Sequence, residues 1–266
     1  MKTVRNTPAW FVPGKMVTLI TDKSRGFGTP GLPLYVPGAE TTIEATQNFL
    51  DRIDPFVMAH VPHADTHFKA EYPHSNEAQI FPEHQLFDTE EWEYLLTFMH
   101  MRARVAWIFK NVFDIGGKVT DSGVDPRKVL AEMTDPLERK FFKGLFHVAE
   151  GDPADPSNMT FGHHRDSFFY DLTQKEAVTS LHMGDATDYC VRDALKYVLS
   201  WGHFKHVVLL TDLTHGIYNT TLPGGVANLQ ELIATDPVLN EGSANGRLVL
   251  ATSDEVLGYL PTAEAA

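Results

Sequence analysis

Cysteine is almost absent from this chain: Cys190 is the only one among 266 residues. An internal disulfide is therefore excluded, and a reducing compartment, the cytoplasm, is the expected setting. Basic residues are also scarce, 22 against 35 acidic ones, giving a net charge of −13 at pH 7. A surface of that sign is a poor partner for nucleic acid or an anionic membrane. No apolar run approaches the roughly eighteen residues that a membrane span needs. Met1 to Gly14 carries no apolar core of the kind a secretory signal has, so none is expected there. Internal repeats and low-complexity segments are missing too. What remains is the composition of an ordered globular protein, 43% hydrophobic, and a single large α/β domain is expected to house its core.

The lone cysteine sits in the most informative stretch, Gly184-Asp185-Ala186-Thr187-Asp188-Tyr189-Cys190-Val191-Arg192. Ala177 to Met183 before it reads as an apolar strand. After it, Val191, Ala194, Leu195, Val198 and Leu199 recur at helical spacing. Cys190 is thus predicted at a strand–loop–helix junction, where free backbone N–H groups and the helix dipole favour an anion. That setting predicts a lowered thiol pKa and a nucleophile. A lone cysteine is more often a buried small hydrophobe. The Gly-Asp-Ala-Thr-Asp turn shifts the balance, because exposed amides of such a turn are what an oxyanion hole requires.

Elsewhere the chain alternates strand and helix signals. Strands are predicted at Met16–Thr21, Phe56–Val61, Ala177–Met183, His206–Thr211 and Arg247–Ala251, and helices at Ala39–Ile53, Tyr189–Trp201 and Val226–Thr235. This pattern predicts a three-layer α/β/α sandwich around a mostly parallel, doubly wound sheet. Ligands of such sheets sit beyond the carboxyl ends of the strands, where Asp22, Asp65, Cys190 and Asp212 all fall. Residues 88–140 read as a helical insertion, with helices over Glu90–Phe113 and Pro126–Phe142. Its aromatic side chains lead us to expect a homo-oligomer that covers them. Glu150 to Asp171 reads as a long loop.

Histidines cluster after the second predicted strand. In Asp65-Thr66-His67, the i, i+2 spacing on an extended segment points a carboxylate and an imidazole to one side. His74 and His84, each beside a proline turn, are placed to complete a shell. Asp with two or three His suits one divalent ion, Zn²⁺ first, with Fe²⁺ or Mn²⁺ as alternatives.

These segments together resemble the nicotinamidase/isochorismatase-like cysteine hydrolase superfamily. The stretch around Cys190 resembles its nucleophile segment, and Leu19-Ile20-Thr21-Asp22 its first strand with a catalytic aspartate. Leu34-Tyr35-Val36-Pro37-Gly38-Ala39 resembles its approach to the first helix, and Phe141-Phe142-Lys143-Gly144 its lysine segment. Asp65-Thr66-His67 and Phe81-Pro82-Glu83-His84 resemble the metal segments of the nicotinamidase branch.

The resemblance implies hydrolysis of nicotinamide, or a similar small-molecule amide, to the acid and ammonia through a thioester on Cys190. Asp22 would be base and then acid, Lys143 the charged orienting group, and the Ala186 and Cys190 amides the oxyanion hole. The Asp185–Ala186 peptide would be cis. Asp65, His67 and His84, with His74 as a fourth ligand, would hold an ion that docks a pyridine nitrogen. Phe27, Phe81 and Tyr189 would contact the ring. The alternatives are another C–N bond, of carbamoyl or maleamate type, or a binding protein that has lost catalysis. Where the superfamily usually has Gln-Asn-Asp-Phe, this chain has Lys23-Ser24-Arg25-Gly26-Phe27, which puts two positive charges near the pocket mouth and leaves room for an acidic amide.

Overall fold

In the computed structural model, which describes residues 7–222 and 224–261, the apolar run at the start of the chain forms β1 (Met16–Thr21), buried along its whole length. Met16 and Ile20 enter one core while Val17 and Leu19 enter another, as a strand covered on both faces requires. A short helical turn, α1 (Arg25–Gly28), precedes α2 (Ile43–Ile53), which lays Phe49, Leu50 and Ile53 on the first core. β2 (Val57–Asp65) returns parallel to β1 and closes a βαβ unit. Next come β3 (Arg104–Val105) and β4 (Trp107–Lys110), both parallel to β2. After α3 (Pro126–Glu132) and α4 (Pro136–Gly144), the chain adds β5 (His147–Glu150), β6 (Thr160–His164) and α5 (Arg165–Gln174). β7 (Thr179–Asp185), α6 (Arg192–Trp201), β8 (His206–His215), α7 (Leu229–Thr235) and α8 (Pro237–Ala244) follow. β9 (Leu248–Ala251) and α9 (Ser253–Leu257) end the described chain.

The strands form one sheet in the order β6-β5-β4-β2-β1-β7-β8-β9, with β3 beside β2. Only the β4–β5 and β5–β6 pairings are antiparallel. Helices α2, α3, α4 and α9 contribute to the core on one face, and α5 to α8 to the core on the other. The chain leaves β1 toward β2 and later returns to its other side as β7, so the strand order reverses at β1. Ligand crevices open at such a reversal. The carboxyl ends align there: Thr21 pairs with Gly184, and Asp65 with Lys110. Gly184 (φ 119°) is required at this seam, because a Cβ there would overlap the Thr21 carbonyl oxygen.

The sheet and its layers match the expected architecture, but residues 88–140 are not a helical insertion. They contain β3 and β4, which belong to the central sheet, and no helix spans Glu90–Phe113. Trp107-Ile108-Phe109 is a short, fully buried run, whose apolar spacing cannot distinguish strand from helix. Trp92, Phe98, Trp107 and Phe109 are buried within the chain itself, so they do not call for a partner. The segment after Pro126 forms two helices rather than one. Asp125 and Asp135 each cap the amide two residues on, with Pro126 and Pro136 at the first helical positions. The expected long loop at 150–171 contains β6 and α5 as far as Asp171. No helix of the described residues is long and apolar enough to cross a membrane.

One buried group makes the fold sensitive to acid. His182, in β7, has the Ser180 hydroxyl 3.0 Å from its ring, and burial pushes its pKa down from 6.5 to about 3. Between these values the unfolded chain binds a proton that the folded chain refuses. The stabilising contribution is therefore complete above pH 6.5 and is lost as pH falls toward 3. At pH 5 the loss is about 2 kcal/mol. Urea unfolding at pH 7 and pH 5 should show a larger drop for the wild type than for His182→Asn. Equal drops would refute the assignment.

Candidate active site

The site assembles from the carboxyl ends of β1, β2, β4 and β7. β7 ends at Asp185, and a turn of π-helix, Thr187–Val191, leads into α6. Cys190 lies in that turn, 5% exposed. The Asp185–Ala186 peptide is cis. Lys110, the last residue of β4, places Nζ 3.4 Å from Cys190 Sγ. The same ammonium lies 3.0 Å from Asp22 Oδ2 and 3.7 Å from Asp65 Oδ1. Asp22 follows β1 with φ 51°, outside the strand conformation, and its Oδ1 accepts the Asp65 amide at 2.7 Å. Such a backbone persists only where its surroundings impose it.

Charges are strongly coupled in this cluster. Burial, opposed by Lys110 and reinforced by Asp65, raises the Asp22 pKa to about 6. Burial also pushes the Cys190 thiol well above its ordinary value; Lys110 opposes this, while Asp22 and Asp65 add to it. This direction is the reverse of the lowering expected from a helix start. Lys110 itself is desolvated, yet Asp22, Cys190 and Asp65 hold it charged, with a pKa well above the usual lysine value.

Lys143 is not at this site. It lies exposed on α4, and Lys110 occupies the position beside Cys190 expected of it. The Phe-Lys context occurs at both places, and only the strand assignment of Trp107–Lys110 separates them. Lys23 and Arg25 do not offer free positive charge either. Lys23 is buried against Asp185 at 2.8 Å, and Arg25 pairs with Glu93 at 2.6 Å. Asp212 accepts the Ser253 amide and hydroxyl at 2.8 and 2.6 Å, a structural role.

Beside Lys110 lies a group of side chains that could hold a metal ion. Asp65, His67, Glu77 and His84 are buried and bring one ligand atom each within 4.8 Å of one another. His67 Nε2 is 3.5 Å from both Asp65 Oδ2 and Glu77 Oε2, and His84 Nε2 lies 3.2 Å from Asp65 Oδ2. His67 Nε2 and Glu77 Oε2 are buried without a hydrogen-bond partner. Orphaned polar atoms converging on one point are what a divalent ion would satisfy. Behind them, the Glu71 carboxylate accepts from His67 Nδ1 at 3.0 Å and from Asn111 at 3.1 Å. The Pro82 carbonyl accepts from His84 Nδ1 at 2.8 Å. Both rings so held turn Nε2 toward the centre, the outer-shell arrangement that ligating histidines use.

His74 is outside this group. It ends a 3-10 turn, is largely exposed, and lies 3.9 Å from Glu132. Glu77, three residues later, fills the fourth place. It was not among the expected ligands Asp65, His67, His74 and His84, because nothing in its local sequence marks a ligating carboxylate.

A cavity joins the two clusters. Its walls are Phe27, Phe81, Phe113 and Tyr189 with Leu34, Val36 and Ile217; its polar surface comes from Cys190, Asp65 and His84, with Ala186 at the edge. Phe81, Phe113 and Tyr189 meet edge to face, with centroids 5.5 to 6.0 Å apart. The expected ring contacts Phe27, Phe81 and Tyr189 are thus brought together. Phe113 and Ile217 were not anticipated.

No protein-family model matches the chain, and no curated protein does. Solved structures do. A pyrazinamidase of Pyrococcus horikoshii in complex with zinc is 16% identical, with TM-score 0.52 over 90% of this chain and 99% of that one. An Acinetobacter baumanii nicotinamidase/pyrazinamidase is 17% identical, with TM-score 0.55 over 92% and 99%. This is the fold of the nicotinamidases and isochorismatase-like hydrolases. A cysteine hydrolase of Pseudomonas syringae pv. phaseolicola shares it at 11% identity, with TM-score 0.55 over 92% of each chain.

On this isochorismatase-like scaffold the ligand assignment is directly measurable. Zinc titration calorimetry on the metal-free protein should show His74→Ala binding as the wild type does. Glu71→Ala should lose about 10–100-fold in affinity, and Glu77→Ala at least as much. Loss of zinc binding in His74→Ala, or its retention in Glu77→Ala, would reverse the assignment.

Proposed function

We propose that the chain is a metal-dependent amidase that hydrolyses nicotinamide, or a similar neutral heteroaromatic amide, through a thioester on Cys190. One observation carries the reading: a single aromatic-walled cavity reaches both the Cys190 thiol and two members of the metal-binding group, Asp65 and His84. A flat ring with a carboxamide at one end and a lone pair at the other suits that spacing of functions. The solved pyrazinamidase in complex with zinc is similar in fold, which adds support.

The chemistry follows from the charges. Asp22, raised to about 6 by burial, takes the thiol proton as Sγ attacks the carbonyl carbon. Lys110, between Asp22 and Sγ, keeps net charge low while the proton moves. The Ala186 and Cys190 amides, at the start of the turn into α6, face the developing oxyanion; such donors are worth about 3–4 kcal/mol each. Collapse breaks the C–N bond, Asp22 returns the proton to nitrogen, and ammonia leaves. Water then attacks the thioester, with Asp22 again accepting its proton and the Cys190 thiol regaining one as the acid departs. When bound to Asp65, His67, Glu77 and His84, a divalent ion would supply Lewis acidity toward a ring nitrogen. The Phe27, Phe81, Phe113 and Tyr189 rings hold the substrate plane and exclude water.

Charge pairing favours a neutral substrate over an acidic one. Lys23, Arg25 and Lys110 each face a carboxylate within 3.0 Å, so no unpaired cation of these three remains for a maleamate-type group.

Ammonia release from nicotinamide provides the test. Cys190→Ala should abolish it, Asp22→Asn should lower kcat by about 10²–10⁴-fold, and a chelator should remove activity that zinc restores. Lys110→Met should be severely impaired while Lys143→Met matches the wild type. A zinc-loaded wild type that releases no ammonia from nicotinamide would overturn the substrate assignment.

A further inference from the structure

The chain carries a second buried ion pair that the reaction does not consume. Lys23 Nζ lies 2.8 Å from Asp185 Oδ2 and donates to Thr42 Oγ1 at 2.6 Å. The two charged side chains are 0% and 1% exposed. Each adjoins a group that the proposed reaction uses: Lys23 directly follows Asp22, and Asp185 directly precedes Ala186.

The pair stands where the sheet stops holding these groups. β1 and β7 stay in register as far as Thr21 and Gly184. Beyond that point Asp22 turns into a left-handed backbone conformation, and residues 22–23 leave the ladder. The next link between the two strand ends is Lys23 to Asp185. It is anchored on both sides. The Lys23 carbonyl accepts the Leu95 amide at 2.8 Å, Thr42 donates to the Ala39 carbonyl at 2.9 Å, and Asp185 Oδ1 accepts the His215 amide at 3.1 Å. As a device for stability such a pair is poor, since two apolar side chains would fill the space without desolvating charge. What it supplies that apolar packing does not is a fixed distance and direction.

We infer that Lys23 and Asp185 are a positioning pair, which sets the Asp22 carboxylate against the Ala186 amide and so holds the general base and the oxyanion donor in register. This rests on the cysteine-amidase reading given above. Neither residue touches the substrate.

The test separates positioning from folding. Lys23→Met alone leaves a buried carboxylate uncompensated and is expected to lose stability. The decisive protein is the uncharged double variant, Lys23→Met with Asp185→Asn, whose amide oxygen still accepts from His215. Thermal unfolding, kcat and KM for nicotinamide, and the rate of Cys190 alkylation by iodoacetamide are measured together. A positioning role predicts wild-type thermal stability and KM in the double variant, kcat lowered about 10–100-fold, and slower alkylation. Recovery of kcat and alkylation together with stability would overturn it. Thr42→Val, which keeps both charges, should fold and lose kcat several-fold at unchanged KM; wild-type kcat in this variant would also overturn the proposal. If the wild type releases no ammonia, the amidase reading fails, and alkylation alone decides this one: equal rates in wild type and double variant sink it.

Discussion

A lysine ammonium with no exposed surface exists only where anions neutralise it, and Lys110 has the carboxylates of Asp22 at 3.0 Å and Asp65 at 3.7 Å, with the Cys190 sulfur accepting at 3.4 Å. The carboxylates depend on it in turn. Burial drives Asp22 and Asp65 toward protonation; Lys110 opposes this at Asp22, and His67 with Lys110 opposes it at Asp65. Three strand ends and the turn before α6 are thereby tied to one charge. A site built this way cannot be assembled piecemeal, because each member is costly to bury until the others are present.

The same economy of pairing shapes the surroundings. Asp65 lies between the Lys110 cluster and the metal-binding group, so one carboxylate serves both. His67 and His84 are oriented from behind by Glu71 and the Pro82 carbonyl, which leaves their inner nitrogens available. The aromatic cavity contributes no charge of its own. Its polar lining comes from Cys190, Asp65 and His84. A low-dielectric wall around a few fixed polar groups makes each of them count for more than it would in water.

Much of this was legible in the chain. β1 and β8 announced themselves as buried strands through continuous apolar runs, and α6 through its helical spacing, because those signals are local. The nucleophile turn was legible for the same reason: Gly184 to Cys190 is one contiguous segment with its own turn chemistry. Lys110 was not. It ends a strand of only four residues, Trp107-Ile108-Phe109-Lys110, inside an aromatic stretch whose spacing also suits a helix, and Lys143, in Phe141-Phe142-Lys143-Gly144, took its place. Glu77 was missed because nothing local distinguishes a ligating carboxylate from a solvated one.

The sequence by itself determined the alternation of strands and helices, the identity of the lone thiol, the aspartate after β1 and the Asp65-Thr66-His67 pair, all properties of neighbouring residues. Tertiary structure alone decided which lysine meets Cys190, that Glu77 rather than His74 faces His67 and His84, that Lys23 is neutralised by Asp185 across 162 residues of chain, and that the thiol is buried. Each of these is a matter of burial and of contact between distant segments. Electrostatic energy depends on separation in space and on exclusion of water, and neither is written in the order of residues.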